Sequence, residues 1–123
     1  MNRILIYKQS HYPVSSKKIK DTISKTLKEN GVVSDCEVSV ALVGEKKIDE
    51  LAGEPGHPVL AYVNSEIKEP FIFPKKNIIY LGEIIVSYPW ALESSKSQSK
   101  LIDETVAELV HHATLHLLGI HHD

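Results

Sequence analysis

The sequence predicts an α+β fold: a mixed sheet of about four strands packed with helices, in a single domain spanning residues 1–123. Three observations carry this. Short β-like apolar stretches recur through the first 88 residues, interspersed with short helical patterns. The chain closes on one long helical pattern. No internal repeat or second hydrophobic pattern marks another domain. A chain of 123 residues that is 42% hydrophobic can bury one core without disulfides.

Taken in order, Arg3 to Tyr7 reads as a strand. Tyr12-Pro13 breaks it, and Ser15 or Ser16 offers a helix N-cap. Ile19, Ile23 and Leu27 repeat at four-residue spacing, which predicts a helix to about Asn30-Gly31. Its other faces carry Lys17, Lys18, Lys20, Lys25 and Lys28. A solvated face is the first reading of that charge, and a lysine platform for RNA backbone the second. Cys36 to Val43 alternates as a strand, Glu45 to Leu51 reads as a short helix, and Gly53 to Pro58 is rich in turn residues. Val59 to Val63 is a short strand, followed by a polar connection from Asn64 to Pro70. Asn77 to Tyr88 is the strongest β-stretch, and Gly82 within it signals a bulge or a close backbone approach. Glu93 to Lys100 reads as a polar linker, and the last helix runs from about Ser99 to Leu118.

The formal net charge of -2 does not mark a nucleic-acid binder by bulk charge. Arg3 is the only arginine beside thirteen lysines, so phosphate contacts fall to lysine point charges rather than guanidinium forks. A lone cysteine, Cys36, excludes an intrachain disulfide and fits a reducing compartment; it reads as a buried or half-buried strand residue. Neither a signal-peptide h-region nor a membrane-length apolar run is present, so the expectation is a cytoplasmic protein without membrane contact.

Histidine is the outlier: five of the seven (His111, His112, His116, His121 and His122) lie in the last thirteen residues. At about 100° per residue, His112 and His116 fall about 40° apart on one helix face, one turn from each other. Two imidazoles so placed can converge on one ion. His111 points roughly 100° away, with Leu115 rather than a histidine four residues on, so geometry selects His112. Gly119 stands where a left-handed residue would stop the helix and let the chain turn back toward His122. The pattern H-x3-H-x2-G-x2-H carries the histidines and glycine of the metzincin zinc motif, but Ala113 takes the place of its glutamate base, which argues against peptide hydrolysis. Three imidazoles and an open fourth position suit one Zn²⁺ per chain, or another divalent transition metal. His121 is open as a fourth ligand, a proton shuttle or an exposed residue.

The stretch His112 to His122, HATLHLLGIHH, resembles the terminal motif of the YbeY-type family of bacterial single-domain metalloproteins, H-G-x-L-H-L-x-G-Y-D-H. Gly82 to Ser87 resembles the family's G-D-I-V-I-S strand, and His57 to Val63 its T-D-V-L-S-F-P segment. The resemblance implies a metal-dependent endoribonuclease acting on single-strand-type RNA in rRNA processing and ribosome maturation. It implies His112, His116 and His122 as metal ligands on a metzincin-like central C-terminal helix. The implied partners are rRNA or the small ribosomal subunit, with a ribosomal protein or an assembly GTPase beside it. The family's upstream arginine has no counterpart in Leu51 to Gly56. A non-catalytic, metal-stabilised ribosome-assembly factor that binds rRNA or a ribosomal protein is therefore the alternative.

Weaker candidates complete the picture. Glu83 is a catalytic candidate if it lines the cleft opposite the metal helix, and otherwise a glutamate that holds a loop. Glu108, one turn before His112, is either an acceptor behind a ligand or a surface carboxylate. Lys46, Lys47, Lys75 and Lys76 are the lysines expected in an RNA cleft. Phe71, Phe73, Tyr80, Tyr88 and Trp90 can stack on bases, but core packing is the better expectation.

Overall fold

The structure is a computed structural model that describes residues 2–67, 70–72 and 78–120. Strand β1 (Asn2–Lys8) leads into helix α1 (Ser16–Glu29), strand β2 (Cys36–Val43) and helix α2 (Glu45–Ala52). Strand β3 (Val59–Val63), a 3₁₀ turn at Asn64–Glu66, strand β4 (Ile79–Ser87) and helices α3 (Tyr88–Ser97) and α4 (Ile102–Leu117) follow. The sheet order is β1-β2-β4-β3, with β1, β2 and β4 parallel and the edge strand β3 antiparallel to β4. The α+β mixed sheet of four strands is thus the fold present.

Strand β2 is buried along its whole length because it is central and covered on both faces. One face, through Ile4, Val38, Val40, Leu42, Ile84 and Val86, packs against Ile19, Ile23 and Leu27 of α1 and Val106, Val110, Ala113 and Leu117 of α4. Each of these Val, Leu and Ile side chains contributes about 1.5–3 kcal/mol by leaving water. The other face, through Ala41, Val43 and Ile85, takes Ile48 of α2 with Leu60, Tyr62 and Phe71 around it. Helix α4, which carries the histidines, therefore lies on the α1 face of the sheet, and α2 lies on the opposite face.

Three boundaries depart from the sequence reading. The stretch Glu93 to Lys100 is not a linker, because its first half completes α3. Ser87 caps that helix by accepting a hydrogen bond from the Trp90 N–H at 3.3 Å, Pro89 fits its first turn, and Ala91 and Ser95 are buried against the core. A serine-rich outer face conceals so narrow an apolar stripe. Helix α4 begins at Ile102 rather than Ser99, because Ser99 has a positive φ of 54° and the Lys100 N–H turns back to the Ser95 carbonyl at 2.9 Å. Strand β4 yields Tyr88 to α3, where Tyr88 stacks on Tyr12 with ring centroids 4.4 Å apart. Cys36 is buried, as expected, and its thiol donates to the Asn2 side-chain carbonyl at 3.1 Å.

Candidate metal centre

The end of α4 is built by a helix-stop that the sequence announces. Gly119 adopts φ 78°, its N–H donates to the His116 carbonyl at 3.0 Å, and the Ile120 N–H donates to the Leu115 carbonyl at 2.9 Å. This pair of bonds is a Schellman motif, which ends the helix after Leu117 with Leu118 as its cap. His112 and His116 are both exposed on one face of α4, while the core takes Val106, Val110, Ala113 and Leu117. Ala113 is buried, so the position after His112 adds no group to the histidine face.

His111 is removed from that face by a bond to α1. Its Nδ1 lies 2.8 Å from the Thr26 hydroxyl, and that hydroxyl donates its single proton to the Thr22 carbonyl at 2.8 Å. The ring nitrogen must then be the donor, so Nδ1 carries the hydrogen. His111 is thereby committed to the helix pair, and its ring meets that of His112 edge-on, with centroids 5.6 Å apart. The donor chemistry of the two remaining imidazoles, one turn apart and exposed, fits a borderline divalent ion. His121 and His122 lie outside the described residues, and among the described residues no cluster of three or more ligand-type side chains forms.

The other candidates are placed apart from this face. Across the sheet, Leu5, Ser39, Glu83 and Tyr62 form one row and Ile4, Val38, Gly82 and Val63 the next. A bulge between Glu37 and Val38 inserts one extra residue of β4, shifting the register so that Glu37 faces Tyr80 but Val38 faces Gly82. Without it Glu83 would stand opposite Val40 on the α4 face. With it, Glu83 turns to the α2 face, so the expectation that it lines a cleft opposite the metal helix is corrected. There it is buried and accepts a hydrogen bond from the Phe71 N–H at 3.1 Å, holding the segment after β3 across the sheet; burial pushes its carboxyl pKa up. Gly82 marks the close approach on the α4 side, where a Cβ would meet the Tyr62 carbonyl oxygen at 2.2 Å and Leu117 Cδ2 at 2.8 Å.

Lys46 and Lys47 ride on α2, on the sheet face away from α4, and the Lys47 ammonium sits 5.7 Å from the Phe71 ring centroid. They do not flank the histidines, because the β2–α2–β3 connection crosses the other face. Lys75, Lys76 and Phe73 lie outside the described residues. Glu108 is a surface carboxylate paired with Lys100 at 2.8 Å. Arg3 lies 3.2 Å from the buried Glu37 carboxylate, its partner across β1 and β2. Phe71 stacks on Tyr7 at 5.4 Å.

Compared with known proteins, residues 5–123 match the family model described as Endoribonuclease YbeY. The chain belongs to the YbeY family. A relative named endoribonuclease YbeY from a Synechococcus strain is 36% identical over 102 residues, covering 78% of this chain and 63% of the relative. One of the same name from Dehalococcoides mccartyi is 31% identical over 121 residues, covering 89% and 70%. One from Caldicellulosiruptor saccharolyticus is 29% identical over 135 residues, covering 99% and 85%. A solution structure of a Thermotoga maritima protein is similar over 100% of this chain and 75% of its own, with a TM-score of 0.56 and 26% identity. The match spans under two thirds of the length of the Synechococcus relative. Among the described residues no helix is long and apolar enough to cross a membrane.

Proposed function

We propose that this YbeY-family chain is a metal-dependent endoribonuclease of the cytoplasm that acts on rRNA or the small ribosomal subunit during ribosome maturation. The family match and the relatives' shared name support the RNA-cleaving part of this reading. The single observation that carries the metal part is the exposed His112/His116 pair ahead of the Gly119 chain reversal. His112 and His116 hold one Zn²⁺ or similar ion, with His122 as the third ligand. A divalent ion in such a site supplies Lewis acidity and lowers the pKa of its bound water to about 7.

The protein's own contribution is positional. The sheet and α1 fix the buried side of α4, the Thr26 bond keeps His111 out of the ligand set, and the Schellman turn sets the end of the helix. Arg3, the only arginine, is engaged with Glu37, so lysines bind the phosphates.

The test begins with metal content per purified chain by plasma mass spectrometry. About one equivalent is expected in wild type, its loss in His116→Ala, and its retention in His111→Ala. Equal metal in the two variants refutes the ligand assignment. Structured rRNA should then be cleaved by wild type and not by the His112→Ala/His116→Ala variant. A protein that holds metal and binds rRNA without cutting it is the non-catalytic assembly factor instead.

A further inference from the structure

A groove of about 380 Å³ runs between α1 and α4, lined by Lys18, Asp21, Thr22, Lys25, Thr26, Glu29 and His111. Thr26 and His111, joined by their 2.8 Å bond, both line it, and the His111 ring meets the His112 ring with centroids 5.6 Å apart. Lys18 and Lys25 stand on one stripe of α1, two turns and about 10 Å apart along the axis. Both are exposed.

The lining sets Lys18 and Lys25 against Asp21 and Glu29, and Lys17 on Asp21 leaves a surplus of one positive charge. Among the described residues, Lys17 is paired with Asp21 at 2.6 Å, Lys100 with Glu108 at 2.8 Å, and the Lys8 ammonium donates to the Tyr12 and Val14 carbonyls at 3.2 and 2.8 Å. Asp21 is thus offset by Lys17, and Glu29 is the one other carboxylate of the lining. Lys18 and Lys25 form no ion pair among the described residues. The lysines of α2 lie across the sheet, whereas α1 packs on the same sheet face as α4 and carries its lysines there.

We propose that this α1–α4 groove carries the phosphate backbone of an RNA strand to the histidine face, with Lys18 and Lys25 as its phosphate contacts. The proposal rests on the nuclease reading for the identity of the polyanion, not for the groove itself. Two lysine point charges on a flexible single strand bind without base preference, and each releases counterions when it binds.

The experiment is fluorescence anisotropy of a labelled single-stranded RNA oligonucleotide with the full chain, in chelator so that binding is read without cleavage. Wild type is compared over a salt series with Lys18→Ala/Lys25→Ala and with Lys46→Ala/Lys47→Ala. All four lysines lie on helix surfaces, where alanine is well tolerated. The α1 variant should bind more weakly, and its log–log salt slope should fall by about 1.4, two contacts at about 0.7 each. The α2 variant should match wild type. An unchanged slope in the α1 variant, or wild type that binds no RNA, overturns the groove. A groove-dependent binder that leaves rRNA uncut in the metal-loaded assay upholds the groove and refutes the nuclease. A protein that cuts rRNA with the α1 slope unchanged does the reverse.

Discussion

Gly82→Ala tests the contact that seats α4 on the sheet. The added Cβ would lie 2.2 Å from the Tyr62 carbonyl oxygen, which belongs to the paired strand β3 and cannot retreat without breaking the β3–β4 ladder. It would also lie 2.8 Å from Leu117 Cδ2, one residue from His116, and the backbone φ of +156° is unfavourable for an L side chain. Overpacking costs about 1–3 kcal/mol and the backbone conformation a similar amount, so the expected loss is about 3–5 kcal/mol. Against a total stability of roughly 5–15 kcal/mol, that is a large share, and Tm should fall by roughly 10–20 °C. Gly31→Ala is the control: φ is +80° there but nothing lies within 4 Å of the added atom, so only the left-handed cost of about 1–2 kcal/mol applies. Urea denaturation followed by far-ultraviolet circular dichroism measures both. A Gly82→Ala loss no greater than that of Gly31→Ala would refute the close-approach argument.

Two further outcomes are expected. Burial raises the Glu83 pKa, so the folded chain holds that proton more tightly than the unfolded chain does. Its contribution to stability is full below the ordinary carboxylate range and is lost as pH rises through the raised value. Glu83→Gln keeps an oxygen for the Phe71 N–H, so it should be more stable than wild type at about pH 7 and should lose that advantage below about pH 4; a gap that does not vary with pH contradicts this. Thr26→Val should cost about 1–2 kcal/mol by stranding the half-buried His111 Nδ1–H, and Thr26→Ser should restore most of it. Nitrogen NMR of the wild-type imidazole should show the hydrogen on Nδ1, and a hydrogen on Nε2 in the neutral ring would contradict the bond chain.

Much of the fold was legible because its signals are local. The Ile19–Ile23–Leu27 spacing records the side that α1 buries, while Cys36 to Val43 and the stretch around Ile84 mark strands by their β-branched composition, and α1, β2 and β4 follow them. The separation of His112 from His111 follows from helical geometry alone, and Gly119 fulfils its role because a left-handed stop needs only the residues around it. Helix α3 was not legible, since its pattern is a few buried residues on a serine-rich helix whose cap, Ser87, sits at the end of a strand.

The sequence by itself therefore determined the fold class, the helix that carries the histidines, the exclusion of His111 from their face and the family. Tertiary structure alone decided the rest. One extra residue in β4 carries Glu83 to the far face, because side chains alternate with period two and a single insertion reverses every later position. The face on which each helix crosses the sheet separates Lys46 and Lys47 from the histidines and brings Lys18 and Lys25 into the groove that His111 lines. Neither outcome is written in a local pattern, because each depends on how distant strands pair and on which side the connections between them run.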